Sequence, residues 1–180
     1  MNKTVENTII IKHINSSCGT LILGSYDGKL CLCDWVDGRR RTAVDQRLQK
    51  CLKAEYVEGI SDVIEKARHQ LNEYFKNQRR EFDIPLLFVG TDFQKKVWNE
   101  LLKIPYGTTV SYGELARRIG MPNAVRAVAN ANAVNAISII APCHRIIGSD
   151  GSLTGYGGGL ERKRFLLDLE KNSYLCNNIF

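Results

Sequence analysis

The stretch of this chain best suited to chemistry is Pro142-Cys143-His144-Arg145, a thiol with an imidazole and a guanidinium beside it. Thiolate is the reactive form of cysteine, and a free thiol at neutral pH is mostly protonated, so a nucleophilic Cys143 needs a base. His144 is the base nearest in sequence. A carboxylate to orient it would complete a set of nucleophile, base and orienter, and Glu170 is the candidate. The apolar run Ile139-Ile140-Ala141 reads as a buried strand that Pro142 interrupts, with Ile146-Ile147 resuming after the polar triplet. On an extended strand, consecutive side chains point to opposite faces, so a link between Cys143 and His144 requires a turn or one bridging water. The plainer alternative is that Cys143 is one more small buried hydrophobe.

The rest of the chain must position these groups. Its 180 residues, 44% hydrophobic and 24% charged, can bury a core in one domain or two small ones. The net charge is +6. Residues 1–83 carry 14 basic and 12 acidic side chains, and residues 84–180 carry 11 and 7, so the excess leans towards Cys143. That favours an anionic partner such as nucleic acid. No apolar leader follows Met1–Glu6 and no run approaches 18 apolar residues, which reads as a soluble cytoplasmic protein without a membrane partner. Of six cysteines, Cys31 and Cys33 alternate on one face of a strand and point to the core. With Cys18, Cys51 and His13 they make a zinc site conceivable, but no CxxC pair occurs, and the expectation is reduced thiols and no metal.

Thr8–His13, Gly19–Tyr26 and Leu30–Val36 read as strands, the last two joined by an Asp27-Gly28 hairpin turn. A polar amphipathic segment covers residues 42–54. Ser61 caps a helix from Asp62 to Asn77 whose stripe is Ile64, Ala67, Leu71, Tyr74 and Phe75. Phe82–Phe88, with Pro85, suits a linker or an edge strand. Thr91 or Asp92 then caps a helix over Phe93–Lys103, and Ser111 opens another over Tyr112–Ile119, with Glu114 as capping-box partner.

After the Gly120-Met121-Pro122 turn, Asn123 starts a helix through Ala133, giving a helix-turn-helix pattern. The second helix offers mostly Ala and Val, with Arg126, Asn130 and Asn132. A major-groove reader presents more polar side chains, so small residues suit a close approach to a minor groove, or packing against another helix. Leu153–Gly159 is a glycine-rich loop with one aromatic and no phosphate-cradle motif. Leu160–Glu170 is a last amphipathic helix, and a loose tail is expected from Lys171.

The chain resembles the O6-alkylguanine-DNA alkyltransferases (methylated-DNA–protein-cysteine methyltransferases) through Phe93–Ala116, Asn123–Asn135 and Ala141–Leu167, about the last half of its length. The resemblance implies an α+β fold: a ribonuclease-H-like α/β domain over residues 1–83 and a mainly helical, winged-helix-like DNA-binding domain over residues 84–180. It implies a monomer that binds double-stranded DNA containing O6-alkylguanine through the minor groove and flips the damaged base. Cys143 would accept the alkyl group irreversibly, once per molecule, from O6-alkylguanine and also from O4-alkylthymine, without a cofactor.

His144 would activate the thiol through water, Glu170 would orient His144, and Tyr112 would donate to the leaving guanine. Arg126 would enter the base stack, with Asn123, Ala127 and Tyr112 on the DNA surface. Asn135, Arg145, Ile146, Tyr156 and Gly157 would form the substrate pocket, with Asn135 tying the helix-turn-helix to the cysteine loop. Departures include Ala136 and Ser138, where some members have prolines, and Gly157, where some have serine. The zinc ligands of some relatives are not recognisable. A lesion-binding protein without transfer chemistry is the alternative, and a cysteine-dependent hydrolase is more distant still.

Overall fold

The computed structural model describes residues 7–176. Three strands, β1 (Asn7–Ser16), β2 (Gly19–Tyr26) and β3 (Lys29–Trp35), form an antiparallel meander. Asp27 and Gly28 both take positive φ, 49° and 72°, as the mirror-image turn of a two-residue hairpin requires. The amphipathic segment is helix α1 (Arg41–Leu52), and it leads into a strand the sequence pattern had not signalled, β4 (Ala54–Glu58). β4 lies parallel to β1, giving the order β3-β2-β1-β4. Only Ala54 of β4 is buried, so the strand lacks the apolar alternation by which strands are recognised.

Helix α2 (Asp62–Phe75) packs on this sheet through Ile64, Ala67, Leu71 and Tyr74, while Ser61 accepts a hydrogen bond from the Ile64 amide. It stops two residues short of expectation, and Asn77 leaves in a left-handed conformation. Beyond the linker come α3 (Asp92–Leu101), β5 (Val110–Ser111), α4 (Tyr112–Arg118), α5 (Val125–Ala133), β6 (Ile146–Ile147) and α6 (Leu160–Cys176). Thr91 and Gln94 make a full capping box for α3. At α4 only half of the box forms: Ser111 caps the Glu114 amide, but the Glu114 carboxylate turns to Arg117 and Arg118. Helix α5 starts two residues later than expected, because Met121–Ala124 closes as a turn and leaves Asn123 before the helix.

Two expectations are corrected. The tail from Lys171 was expected to be loose, yet α6 runs on to Cys176. The run Ile139–Ala141 is not a strand. Only Ile137 bridges to Cys33; the chain then tightens into short turns, with Ile140 donating to Ser138 O and Ala141 to Ile137 O, and Cys143–Arg145 forms one 3-10 turn. Part of the reason is local. Pro142 has no N–H, Ile139 takes a left-handed φ of 71°, and the side-chain amide of Asn135 binds the Ile137 and Ala141 carbonyls that a strand partner would use.

The outer edge of β3 joins the two halves. Leu30 exchanges backbone hydrogen bonds with Pro85 and Leu87, and Cys33 does so with Ala136 and Ser138. Phe82–Phe88 thus supplies an edge partner, with Pro85 offering only its carbonyl. Among the described residues, no helix is long and apolar enough to cross a membrane.

Candidate active site

The 3-10 turn places Cys143, His144 and Arg145 in the interior, where Cys143 is 3% exposed and His144 is fully buried. Glu170 reaches them from the buried face of α6 and is itself fully buried. His144 Nε2 lies 2.7 Å from Glu170 Oε1. Arg145 grips the same carboxylate through Nε and Nη2 at 3.0 and 2.9 Å, Tyr74 donates to Oε1 at 2.7 Å, and the Gly107 amide donates to Oε2 at 3.1 Å. Burial opposes charge on Glu170, but its bonds with His144 and Arg145 overcome this and hold the carboxyl below the usual range.

With an ionised carboxylate facing Nε2, that nitrogen carries the proton, and Nδ1 presents its lone pair. Nδ1 is buried and has no hydrogen-bond partner among the described residues. Burial lowers the His144 pKa, with Glu170 acting in the opposite direction, so the ring is neutral at neutral pH and able to accept a proton. The thiol is pushed up to about 11, mainly by burial, with the Asn135 side chain working against this and the Asp34 charge adding to it. Such a thiol is protonated at rest and depends on a base.

Other expected residues gather here. Tyr112 is buried at the start of α4, and its hydroxyl donates to Thr154 O at 2.9 Å, against the glycine-rich loop. Tyr156 is buried in that loop and Ile146 beneath the turn. Gly157 lies at the loop's half-exposed shoulder, where its carbonyl accepts from the Arg39 amide. Asn135 accepts from the Ile137 amide and donates to the Ala141 carbonyl, tying the end of α5 to the loop. Arg145, expected to line the substrate pocket, is engaged by Glu170 and, at 2.6 Å, by Ile104 O, and its side chain also borders a cleft. A cleft of about 830 Å³ reaches the back of the turn at Ile140 and Pro142, but Cys143, Tyr112 and Tyr156 do not line it. Asn123, Arg126 and Ala127 stand apart, exposed on the outer surface of the helix-turn-helix.

Sequence reasoning missed four contributors. Lys163 is fully buried, donates to Ile146 O and Thr154 O, and lies 5.8 Å from the Tyr112 ring centroid; burial lowers it to about 8. Its spacing with Leu166 and Glu170 marks the inner stripe of α6, a signal the basic run around it obscured. Asn132 donates to Cys143 O at 3.3 Å. Tyr74 carries in sequence only the mark of a core stripe, and Trp35, whose indole donates to the Tyr156 hydroxyl, only that of a strand. Among the described residues, no three His, Cys, Asp or Glu side chains cluster as a metal site, and Cys31 and Cys33 lie in the core.

Two family profiles match the chain. One is described as "6-O-methylguanine DNA methyltransferase, ribonuclease-like domain" (residues 9–88) and the other as "6-O-methylguanine DNA methyltransferase, DNA binding domain" (residues 92–172). A methylated-DNA–protein-cysteine methyltransferase of Mycobacterium leprae is 56% identical over 166 residues, covering 92% of this chain and 94% of the relative. One of Mycobacterium tuberculosis is 61% identical over 103 residues; the match covers 57% of this chain and 62% of that relative's length, under two thirds. In three dimensions the chain is similar to the crystal structure of Mycobacterium tuberculosis OGT in complex with DNA, with a TM-score of 0.78 and 45% identity over 91% of this chain and 93% of the other. The mixed sheet followed by a helical half is the α+β arrangement of these structures.

Proposed function

The chain belongs to the 6-O-methylguanine DNA methyltransferase family, and on that premise we propose that it repairs alkylated DNA by moving the alkyl group onto Cys143. The observation that carries this reading is the unpartnered Nδ1 of His144, whose Nε2–H is fixed on Glu170 while the adjacent thiol is protonated.

The sulfur attacks the alkyl carbon from the side opposite the guanine oxygen. The S–C bond forms as the C–O6 bond breaks, and the bonding pair leaves on the guanine. The thiol proton passes to His144 Nδ1 through one water, and Glu170 stabilises the resulting imidazolium. Tyr112 donates a hydrogen bond or proton to the departing base. The product thioether has no leaving group for water to displace, so each molecule acts once. O4-alkylthymine presents the same leaving chemistry.

DNA is the partner, held through its minor groove by the exposed face of α5. Arg126 enters the stack in place of the flipped nucleotide, with Asn123 and Ala127 against the backbone. Asn135, Ile146, Tyr156 and Gly157 shape the pocket, while Arg145 acts by holding Glu170. The thiol is nearly closed off, so base entry requires the loop over residues 153–159 to open. We assign residues 1–83 to the cover and 84–180 to the DNA-binding alkyltransferase domain of a monomer working beside cytoplasmic DNA.

Intact-protein mass after incubation with duplex DNA containing O6-methylguanine tests the reading. One methyl increment per molecule, mapped to Cys143, is expected. Tight DNA binding with no increment would instead mark a lesion-binding protein.

A further inference from the structure

The activity proposed above places every reacting group in the helical half, yet the loop that carries Cys143 is fixed from the sheet. Ile139 is β-branched and holds a left-handed φ of 71°, a conformation that persists only where its surroundings over-determine it. The residue before it supplies that constraint. Ser138 donates its amide to Cys33 O at 2.6 Å and its hydroxyl to Asp34 Oδ1 at 3.0 Å, both on β3. Its own carbonyl accepts from Ile140, and the next turns deliver Cys143, whose amide binds Ala141 O.

Asp34 is built for this contact. It is 7% exposed, its Oδ1 also accepts from the Trp35 amide, and its Oδ2 pairs with Arg41 at 2.9 Å. Arg41 in turn holds Asp45 at 2.6 Å, so the acceptor is anchored from α1 and cannot swing away from Ser138.

We propose that Asp34, acting through Ser138, is a positioning residue for Cys143, so that the sheet domain sets the geometry of transfer. This rests on the reading of Cys143 as the alkyl acceptor. A buried charge so placed also bears on the thiol. Around Cys143 stand Asp34 and Cys33 from β3, Tyr112 from α4, His144 from its own turn, Tyr156 from the loop and Lys163 from α6. Asp34 is the carboxylate of this set, it disfavours the thiolate, and Arg41 and Asp45 face it from α1.

The test compares wild type with Ser138→Ala, Ser138→Thr and Asp34→Asn, with folded fraction measured by circular dichroism. Ser138→Ala is expected to take up the benzyl group of O6-benzylguanine about tenfold more slowly, the scale of a sub-ångström misplacement of a reacting atom. Its affinity for duplex DNA should be unchanged, and Ser138→Thr, which keeps the hydroxyl, should recover most of the rate. Asp34→Asn, labelled where circular dichroism shows it fully folded, should move the pH profile of iodoacetamide labelling at Cys143 to lower pH, and labelling that instead tracks the unfolded fraction would count against a charge effect of Asp34. Wild-type rates in folded Ser138→Ala, or failure of Ser138→Thr to recover, would overturn the inference while leaving the acceptor reading intact. A wild-type protein that takes no benzyl group on Cys143 would overturn both.

Discussion

The indole Nε1 of Trp35 donates a 2.9 Å hydrogen bond to the hydroxyl of Tyr156, joining the end of β3 to the loop that precedes α6. The guanidinium of Arg162 lies 4.6 Å from the centroid of the same indole, and a Cβ at Gly158 would collide with it. Trp35→Phe keeps most of the volume and removes the donor, leaving the buried Tyr156 hydroxyl without it. Unfolding free energy should fall by about 1–2 kcal/mol in urea titrations. The ratio of benzyl to methyl transfer rates should rise as the loop gains freedom, and an unchanged ratio would separate Trp35 from the shape of the pocket.

Cys143 sets a pH dependence of its own. Its thiol rises from 9.0 to about 11 on folding, so the folded state resists ionisation. The contribution is complete below pH 9 and is lost as pH rises through 11, because the unfolded chain then gains by ionising. Two units correspond to roughly 3 kcal/mol at most. Urea titrations across this interval should show a falling stability that Cys143→Ala flattens. Equal slopes in the two proteins would mean that the thiol ionises freely in the fold.

Glu170→Gln removes the charge on which His144, Arg145 and Tyr74 converge. Breaking a buried pair in this way costs about 3–5 kcal/mol, chiefly because Arg145 remains charged and unpaired. The variant should melt markedly lower. In its folded fraction it should transfer alkyl groups slowly, because a carboxamide can present either an N–H or an oxygen to His144 and no longer fixes the tautomer. Normal transfer per folded molecule would remove Glu170 from the orienting role.

Arg126→Ala should slow repair of duplex DNA far more than reaction with free O6-benzylguanine, since the exposed side chain lies apart from the buried thiol. Single-turnover assays on the two substrates make the comparison. Equal losses would undo its assignment to the base stack.

The grouping of polar side chains was legible where residue type restricts the partners. Cys143, His144 and Glu170 were linked by the needs of a thiol nucleophile, and Glu170 reached His144 as that logic required. Helices α2 and α3 announced themselves by their apolar faces and caps. The loop leading to Cys143 departs from its reading as a strand because Ile139-Ile140-Ala141 has a strand's composition, while its shape is set by Asn135 and by β3 a hundred residues away. β4 was missed because its pairing is parallel, with a strand 47 residues earlier in register, and its exposed face carries no alternation. Tyr74, Trp35 and Asp34 act across the interface between the halves, and such partners leave no trace in local spacing.

The pairing of Cys33 with Ile137 also bears on how the chain matures. During synthesis the whole meander is made long before residue 137 emerges, so β3 waits with part of its edge unsatisfied. Its closure is a contact of very high sequence separation, which must overcome chain-closure entropy. On the reading of Cys143 as alkyl acceptor, the thiol is placed only when both halves are complete, and a chain interrupted before Ile137 would expose an unpaired strand edge.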